Sequence, residues 1–204
     1  MKITKTIITN PSEWGTSTSN VLLESKNNRS LLVLFPGKGY HCDKPLLYFA
    51  QRVGVEQNCD VLSLEYGFQA ARTDFNIEER EFLIRETSSV IEQTIAKKQY
   101  ERVYFISKSI GTVIAGAIGK QMKDVSQFYL TPSIHSMTFI KDKDIVVVGS
   151  IDPMFTQKEI DELQKVNSNT RIINQVANNL EAKDIKTSLD ILFNITEMYR
   201  EFLH

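Results

Sequence analysis

Val103-Tyr104-Phe105-Ile106-Ser107-Lys108-Ser109-Ile110-Gly111-Thr112-Val113-Ile114-Ala115-Gly116 is the stretch on which the reading of the fold turns. Val103 to Ile106 are aliphatic or aromatic, the composition of a strand buried in a sheet. After Ser109 the residues are small or aliphatic and suit a helix lying close against a sheet. A strand therefore turns into a helix across Ser-Lys-Ser-Ile-Gly, with Ser109 at the apex. Small flanking residues let the chain pass close to itself there. An ordinary turn in which Ser109 caps the helix fits the same residues, so the neighbouring segments have to decide.

The chain has 204 residues, enough for one α/β domain with a well-buried core and short for two, so a single domain over 1–204 is expected. Apolar residues make up 42% and charged residues 24%, an ordinary globular composition. A net charge of −1, with scattered basic residues, gives no electrostatic reason to expect nucleic acid or an anionic membrane as partner. Residues 1–10 alternate in polarity and do not read as a secretory signal. No apolar run approaches the roughly 18 residues that span a bilayer. Cys42 and Cys59 form no C-x-x-C pair, which argues against a disulfide framework or a zinc ribbon and suits a reducing cytoplasm.

Working outward from the central stretch, strands and helices alternate. An edge strand is expected over 2–9 and its partner over 20–25. Continuous apolar runs at 30–35 and 60–64 read as strands buried on both faces. A helix over 45–55 starts at Pro45, which suits a first turn, and a long helix follows over 77–98. Strands over 102–107, 125–130, 144–148 and 170–176 alternate with helices over 110–122, 155–166 and 184–203. Gly111, Gly116 and Gly119 weaken the helix after Ser109, which points to close contact with the sheet as their purpose. This alternation implies a mostly parallel sheet with antiparallel N-terminal strands, covered by helices on both faces.

The strand, turn, serine and helix resemble the nucleophile elbow of the α/β-hydrolase family, written G-x-S-x-G, with Ser107 in place of the first glycine. The resemblance extends over essentially the whole chain and implies a three-layer α/β-hydrolase fold with Ser109 as nucleophile. Residues 133–144 are too few for a large helical lid. Phe35-Pro36-Gly37-Lys38-Gly39-Tyr40 stands where the family has its oxyanion loop, with Pro36 where a histidine is common. By resemblance, Gly37 shapes that loop, and the backbone N–H groups of Lys38 and Ile110 are the oxyanion donors. Val146-Val147-Val148-Gly149-Ser150-Ile151-Asp152-Pro153 matches the strand and turn that carry the acid, which makes Asp152 the residue that orients the base.

The third member departs from the family. Val176-Ala177-Asn178-Asn179-Leu180-Glu181 aligns without a gap to a loop that typically reads A-D-H-S-L-E, and puts Asn178 in the histidine position. An amide can hydrogen-bond to Asp152, but it cannot take a serine proton near neutral pH. Of the three histidines, His204 is terminal, whereas His41 and His135 lie on loops expected to border the site, with His135 the possible substitute base. Lys108 occupies the family's variable elbow position and is expected to point away from Ser109, against a Ser–Lys dyad. Cys42 has no evident paired base and reads as a small buried residue. No dinucleotide or P-loop glycine motif and no metal-ligand spacing is present, so neither a cofactor nor a metal is expected. The expected function is hydrolysis of small ester or acyl substrates through Ser109 with an impaired or substituted base. The alternative is an inactive relative that binds a small ligand or a partner in the same cleft. The oligomeric state is not legible.

Overall fold

Alternation along two central strands sets the layers of the computed structural model, which describes residues 2–204. In β3 (Ser30–Phe35) Leu31, Val33 and Phe35 enter one apolar core and Leu32 and Leu34 enter a second on the opposite face. In β5 (Arg102–Lys108) Phe105 faces the first core, while Tyr104 and Ile106 face the second. A strand buried on both sides needs apolar residues facing both ways, and residues 31–35 and 103–106 supply them.

The remaining strands are β1 (Thr4–Pro11), β2 (Ser17–Glu24), β4 (Cys59–Ser63), β6 (Val125–Leu130), β7 (Ile145–Gly149) and β8 (Thr170–Ile173). They form one eight-stranded sheet in the order β1-β2-β4-β3-β5-β6-β7-β8. β1 pairs antiparallel with β2 and β2 antiparallel with β4, and every later pairing is parallel. The parallel strands bring their carboxyl ends, and the loops that leave them, to one edge.

The helices are α1 (Pro45–Glu56), α2 (Gly67–Ala71), α3 (Arg80–Lys97), α4 (Ile110–Gln121), α5 (Gln157–Val166) and α6 (Ile185–Phe202). The first core takes Leu83, Val90 and Ile91 from α3 and Val113, Ile114 and Ile118 from α4. The second takes Leu46, Leu47 and Val53 from α1 and Ile191, Ile195 and Tyr199 from α6. α5 covers β7 through Ile160 and Leu163. The result is a three-layer α/β arrangement, as expected. None of the helices among the described residues is long and apolar enough to cross a membrane.

Several boundaries differ from expectation for local reasons. The expected helix over 77–98 opens as a 3-10 turn, Ile77–Glu79, capped by Asn76, whose side chain accepts from Glu78 N–H. α2 is too short to leave a periodic signal. Thr156 caps α5, so that helix begins later than expected. The last strand stops at Ile173 because Gln175 turns the chain with a φ of 58°. In place of a lid, a 3-10 segment, Ile134–Phe139, lies on α4, where a Cβ at Gly116 would meet the Phe139 ring. Gly116 thus accommodates that segment rather than the sheet.

Gly111 does what its position suggested. A Cβ there would stand 2.5 Å from the Pro36 carbonyl oxygen and 2.6 Å from that of Phe35. Gly111→Ala is therefore expected to lower stability by about 1–3 kcal/mol through overpacking, although alanine favours a helix by about 1 kcal/mol. Urea unfolding should show a lower midpoint with an unchanged slope.

Candidate active site

Ser109 sits where β5 stops and α4 begins, with φ 52° and ψ −119°. A non-glycine residue in that region stores roughly 1–3 kcal/mol of strain. Its N–H continues the β5–β6 ladder by donating to the Leu130 carbonyl at 3.1 Å. Its side chain makes no capping bond to α4. The cap reading therefore leaves the hydroxyl unexplained: it is half-buried and has no hydrogen-bond partner among the described residues.

The loop after β3 lies directly against this turn. A Cβ on the buried Gly37 would stand 3.4 Å from Ser109 Cβ, so the glycine sets how closely the loop approaches the serine. Gly37 N–H donates to the Tyr40 carbonyl at 2.9 Å, and the Gln69 side-chain amide of α2 donates to the Gly37 carbonyl at 2.8 Å. These two bonds hold a tight turn in which Lys38 N–H meets no acceptor among the described residues, and neither does Ile110 N–H at the start of α4. Two unsatisfied backbone donors close to a strained serine suit a developing oxyanion. The Lys38 side chain leaves the site, pairing with Asp74 at 2.5 Å and donating to the Phe75 carbonyl at 3.2 Å.

Asp152 and Asn178 come together as the chain order implied. Asp152 is 3% exposed and accepts from Met154 N–H at 2.9 Å and from Asn178 Nδ2 at 3.1 Å. Gly149 makes this possible, since a Cβ there would collide with the carbonyl oxygens of Val176 and Ala177. Ile151 N–H donates to the Val176 carbonyl at 3.1 Å and ties the two loops together.

Asn178 does not hydrogen-bond to Ser109. Its Oδ1 accepts from Lys108 Nζ at 2.9 Å. The same ammonium donates to the Asn178 backbone carbonyl at 2.7 Å and to Thr131 Oγ1 at 2.5 Å, and stands 5.3 Å from the centre of the Tyr40 ring. Lys108 is only 1% exposed. Burial pulls its proton affinity down from the ordinary 10.5 to about 7, against the opposing pull of the Asp152 charge. Its direction follows from β5 itself: Tyr104, Ile106 and Lys108 share a face with period 2. That parity was readable in the sequence, but a lysine is ordinarily taken to face solvent. Gln69 and Thr131 had no motif to mark them, and Tyr40, whose phenol burial pushes up to about 12, stood in the oxyanion-loop match with no role of its own.

The other candidates lie apart from this cluster. His135 is exposed and lines a surface hollow with Arg80, Glu81, Lys120 and Phe139 between α3 and α4, with no contact to Asn178 or Asp152. His41 is exposed beside α1. Cys42 donates from Sγ to the Leu34 and Leu64 carbonyls, and burial pushes its thiol well up, away from a nucleophilic thiolate. A cleft of about 320 Å³ between α1 and α6, lined by Tyr40, Leu46, Asn179, Ala182, Leu189 and neighbours, meets this cluster at Tyr40, and Ser109 is not part of its lining.

No family model and no curated protein sequence matches the chain. Solved structures do match it along its whole length. A putative α/β hydrolase of unknown function from Agrobacterium tumefaciens is similar at a TM-score of 0.74 with 10% identity, over 96% of this chain and 94% of its own. An α/β serine hydrolase homologue from Coxiella burnetii gives 0.73 with 10% identity, over 100% and 99%. An α/β serine hydrolase without a lid from Xanthomonas campestris gives 0.67 with 13% identity, over 97% and 94%. The chain has the α/β-hydrolase fold, without a large lid.

The buried lysine has a consequence for stability that can be measured. Its affinity for a proton is lowered by folding, so between pH 7 and 10 the unfolded chain holds a proton at Lys108 that the native state has released. Wild-type stability therefore rises with pH across that window relative to Lys108→Met, by on the order of 4 kcal/mol in total. Below pH 7 the difference between the two proteins is constant, because the lysine is protonated in both states. Denaturant unfolding of both proteins at pH 6, 7, 8, 9 and 10 measures it.

Proposed function

We propose that this chain is a serine hydrolase of small ester or related acyl substrates, with Ser109 as the nucleophile. The observation that carries the reading is Ser109 itself, a serine held at φ 52° with a free hydroxyl beside two unsatisfied backbone donors. Attack by Oγ on a carbonyl carbon places negative charge on the carbonyl oxygen, where Lys38 N–H and Ile110 N–H can receive it. Asp152 holds Asn178, as the acid of a triad holds its base. A site without a large lid, with a cleft of about 320 Å³ nearby at Tyr40 and Asn179, suits a small acyl or alcohol group rather than a long lipid chain. The partner is then a small molecule, and two free cysteines suit a cytoplasmic setting.

A second reading rests on Asn178. An amide at the base position, engaged with Lys108 instead of Ser109, fits a protein that binds a small ligand in this cleft without turning it over. A fluorophosphonate probe separates the two. The hydrolase reading expects one label per chain, mapped to Ser109 and abolished in Ser109→Ala. A protein inert to the probe that still binds small esters or carboxylates favours the second.

Asn178→His is expected to raise the rate of hydrolysis of an activated acetate ester by about 10²–10⁴-fold, the usual worth of a well-placed base. Steady-state kinetics of the folded variant read this directly. No gain would mean that the site lacks more than an imidazole or that another group already serves as its base.

A further inference from the structure

Asn178 reproduces the hydrogen-bonding polarity of an imidazole without its basicity. Its Nδ2 donates to Asp152, as an imidazole N–H would, and its Oδ1 accepts, as the second ring nitrogen would. The donor that fills Oδ1 is Lys108 Nζ rather than the serine hydroxyl. An amide oxygen cannot hold the proton that Ser109 must lose, whereas the amine bonded to that oxygen, Lys108 Nζ, can when neutral.

On the hydrolase reading, we propose that Lys108 is the proton acceptor for Ser109, the function left vacant by the histidine that Asn178 replaces. Three observations support the assignment. Lys108 directly precedes Ser109, and its amine lies in the cluster that joins the elbow to the Asp152–Asn178 pair. Its surroundings accept either protonation state. The ammonium donates to Thr131 Oγ1, Asn178 O and Asn178 Oδ1, while the neutral amine can donate to the two asparagine oxygens and accept from the Thr131 hydroxyl. The lone charge facing it is Asp152, held at one remove by Asn178. Tyr40 presents a neutral ring, and Glu181 acts on Tyr40 from beyond it.

The proton and electron pairs balance as follows. Neutral Lys108 gives up the bond from the Thr131 hydroxyl, which frees its lone pair, and by rotation of its terminal torsions takes the Ser109 Oγ–H proton, directly or across one water. The Oγ electron pair forms the bond to the carbonyl carbon, and the carbonyl π pair moves to the oxygen held by the two backbone donors. Collapse of that intermediate breaks the bond to the leaving alkoxide, which receives the ammonium proton and departs as alcohol. Water then attacks the acyl-serine with Lys108 again as acceptor, releasing the acid and restoring Ser109.

The test is the rate of fluorophosphonate labelling at Ser109 from pH 5.5 to 9.5 in wild type, Lys108→Arg and Lys108→Met. Wild-type labelling should rise through about pH 7, where the amine becomes neutral. Arginine keeps charge and donors but stays protonated throughout this range, so both variants should label about 10²–10⁴-fold more slowly and lose the step in the profile. A folded Lys108→Arg with the wild-type rate and profile would overturn the proposal and leave the hydrolase reading intact. A wild type unlabelled at every pH would overturn both. Should the variants fail to fold, nitrogen NMR of the lysine side chains in Ser109→Ala gives an independent answer. Titration of Lys108 near neutral pH is expected, and an amine still protonated at pH 9.5 would overturn the proposal.

Discussion

An ammonium group taken out of water costs several kcal/mol unless acceptors surround it, and this protein builds the carboxyl edge of its sheet around one. The acceptors for Lys108 come from two segments remote in sequence, Thr131 after β6 and Asn178 after β8. Tyr40, from the loop after β3, closes a third side with its ring, and Asp152, from the turn after β7, adds a counter-charge through Asn178. One side chain at the end of β5 thus fixes the relative positions of the loops that follow the other central strands. Thr131 illustrates the cost. A β-branched residue at φ 42° is strained, and its hydroxyl is what reaches the amine.

That arrangement gives the asparagine a different meaning from a simple loss. In a Ser-His-Asp triad the middle residue both relays orientation from the acid and holds the proton. On the proposed reading, orientation and proton affinity reside on separate side chains. Asn178 takes its direction from Asp152, and its oxygen is occupied by the amine whose proton affinity burial has lowered. Replacing Asn178 alone therefore disturbs two linked contacts, and so does replacing Lys108. Effects of such neighbours do not add, so only a double substitution can apportion them.

The fold was legible where apolar content forced it. β3 and β6 span the residues expected of them: β3 is apolar over residues 31–35, and β6 gathers its apolar residues at 128–130 after Ser126 and Gln127. The serine turn and the Asp152 turn could be placed because strand ends, glycines and chain order together restrict where they go. α2 was not legible, having too few residues to show a period, and its Gln69 pins the oxyanion loop without any motif. The burial of Lys108 was not legible for a different reason. A charged residue at the end of an apolar run reads as the point where the chain meets water, yet the period of two that places Tyr104 and Ile106 on the α1 and α6 side carries Lys108 inward as well. What decides between those readings is whether acceptors await the amine, and they come from loops that the local sequence does not describe.

The backbone at Ser109 bears on chemistry through what it does not need. Glycine adopts a positive φ with ψ near −120° without penalty, whereas serine there is strained. A turn required only to join β5 to α4 would favour glycine. Capping would justify a serine, but this side chain makes no capping bond, and the first turn of α4 is instead tied by Thr112, whose hydroxyl donates to the Ser109 carbonyl at 2.5 Å. The hydroxyl therefore contributes nothing visible to stability while its residue carries the strain of the turn. It is held beside two free N–H donors, with a buried amine of lowered proton affinity in the adjoining cluster. Strain kept at a side chain with no structural partner fits the proposed nucleophile, whose hydroxyl stays open to substrate and to the base that must take its proton.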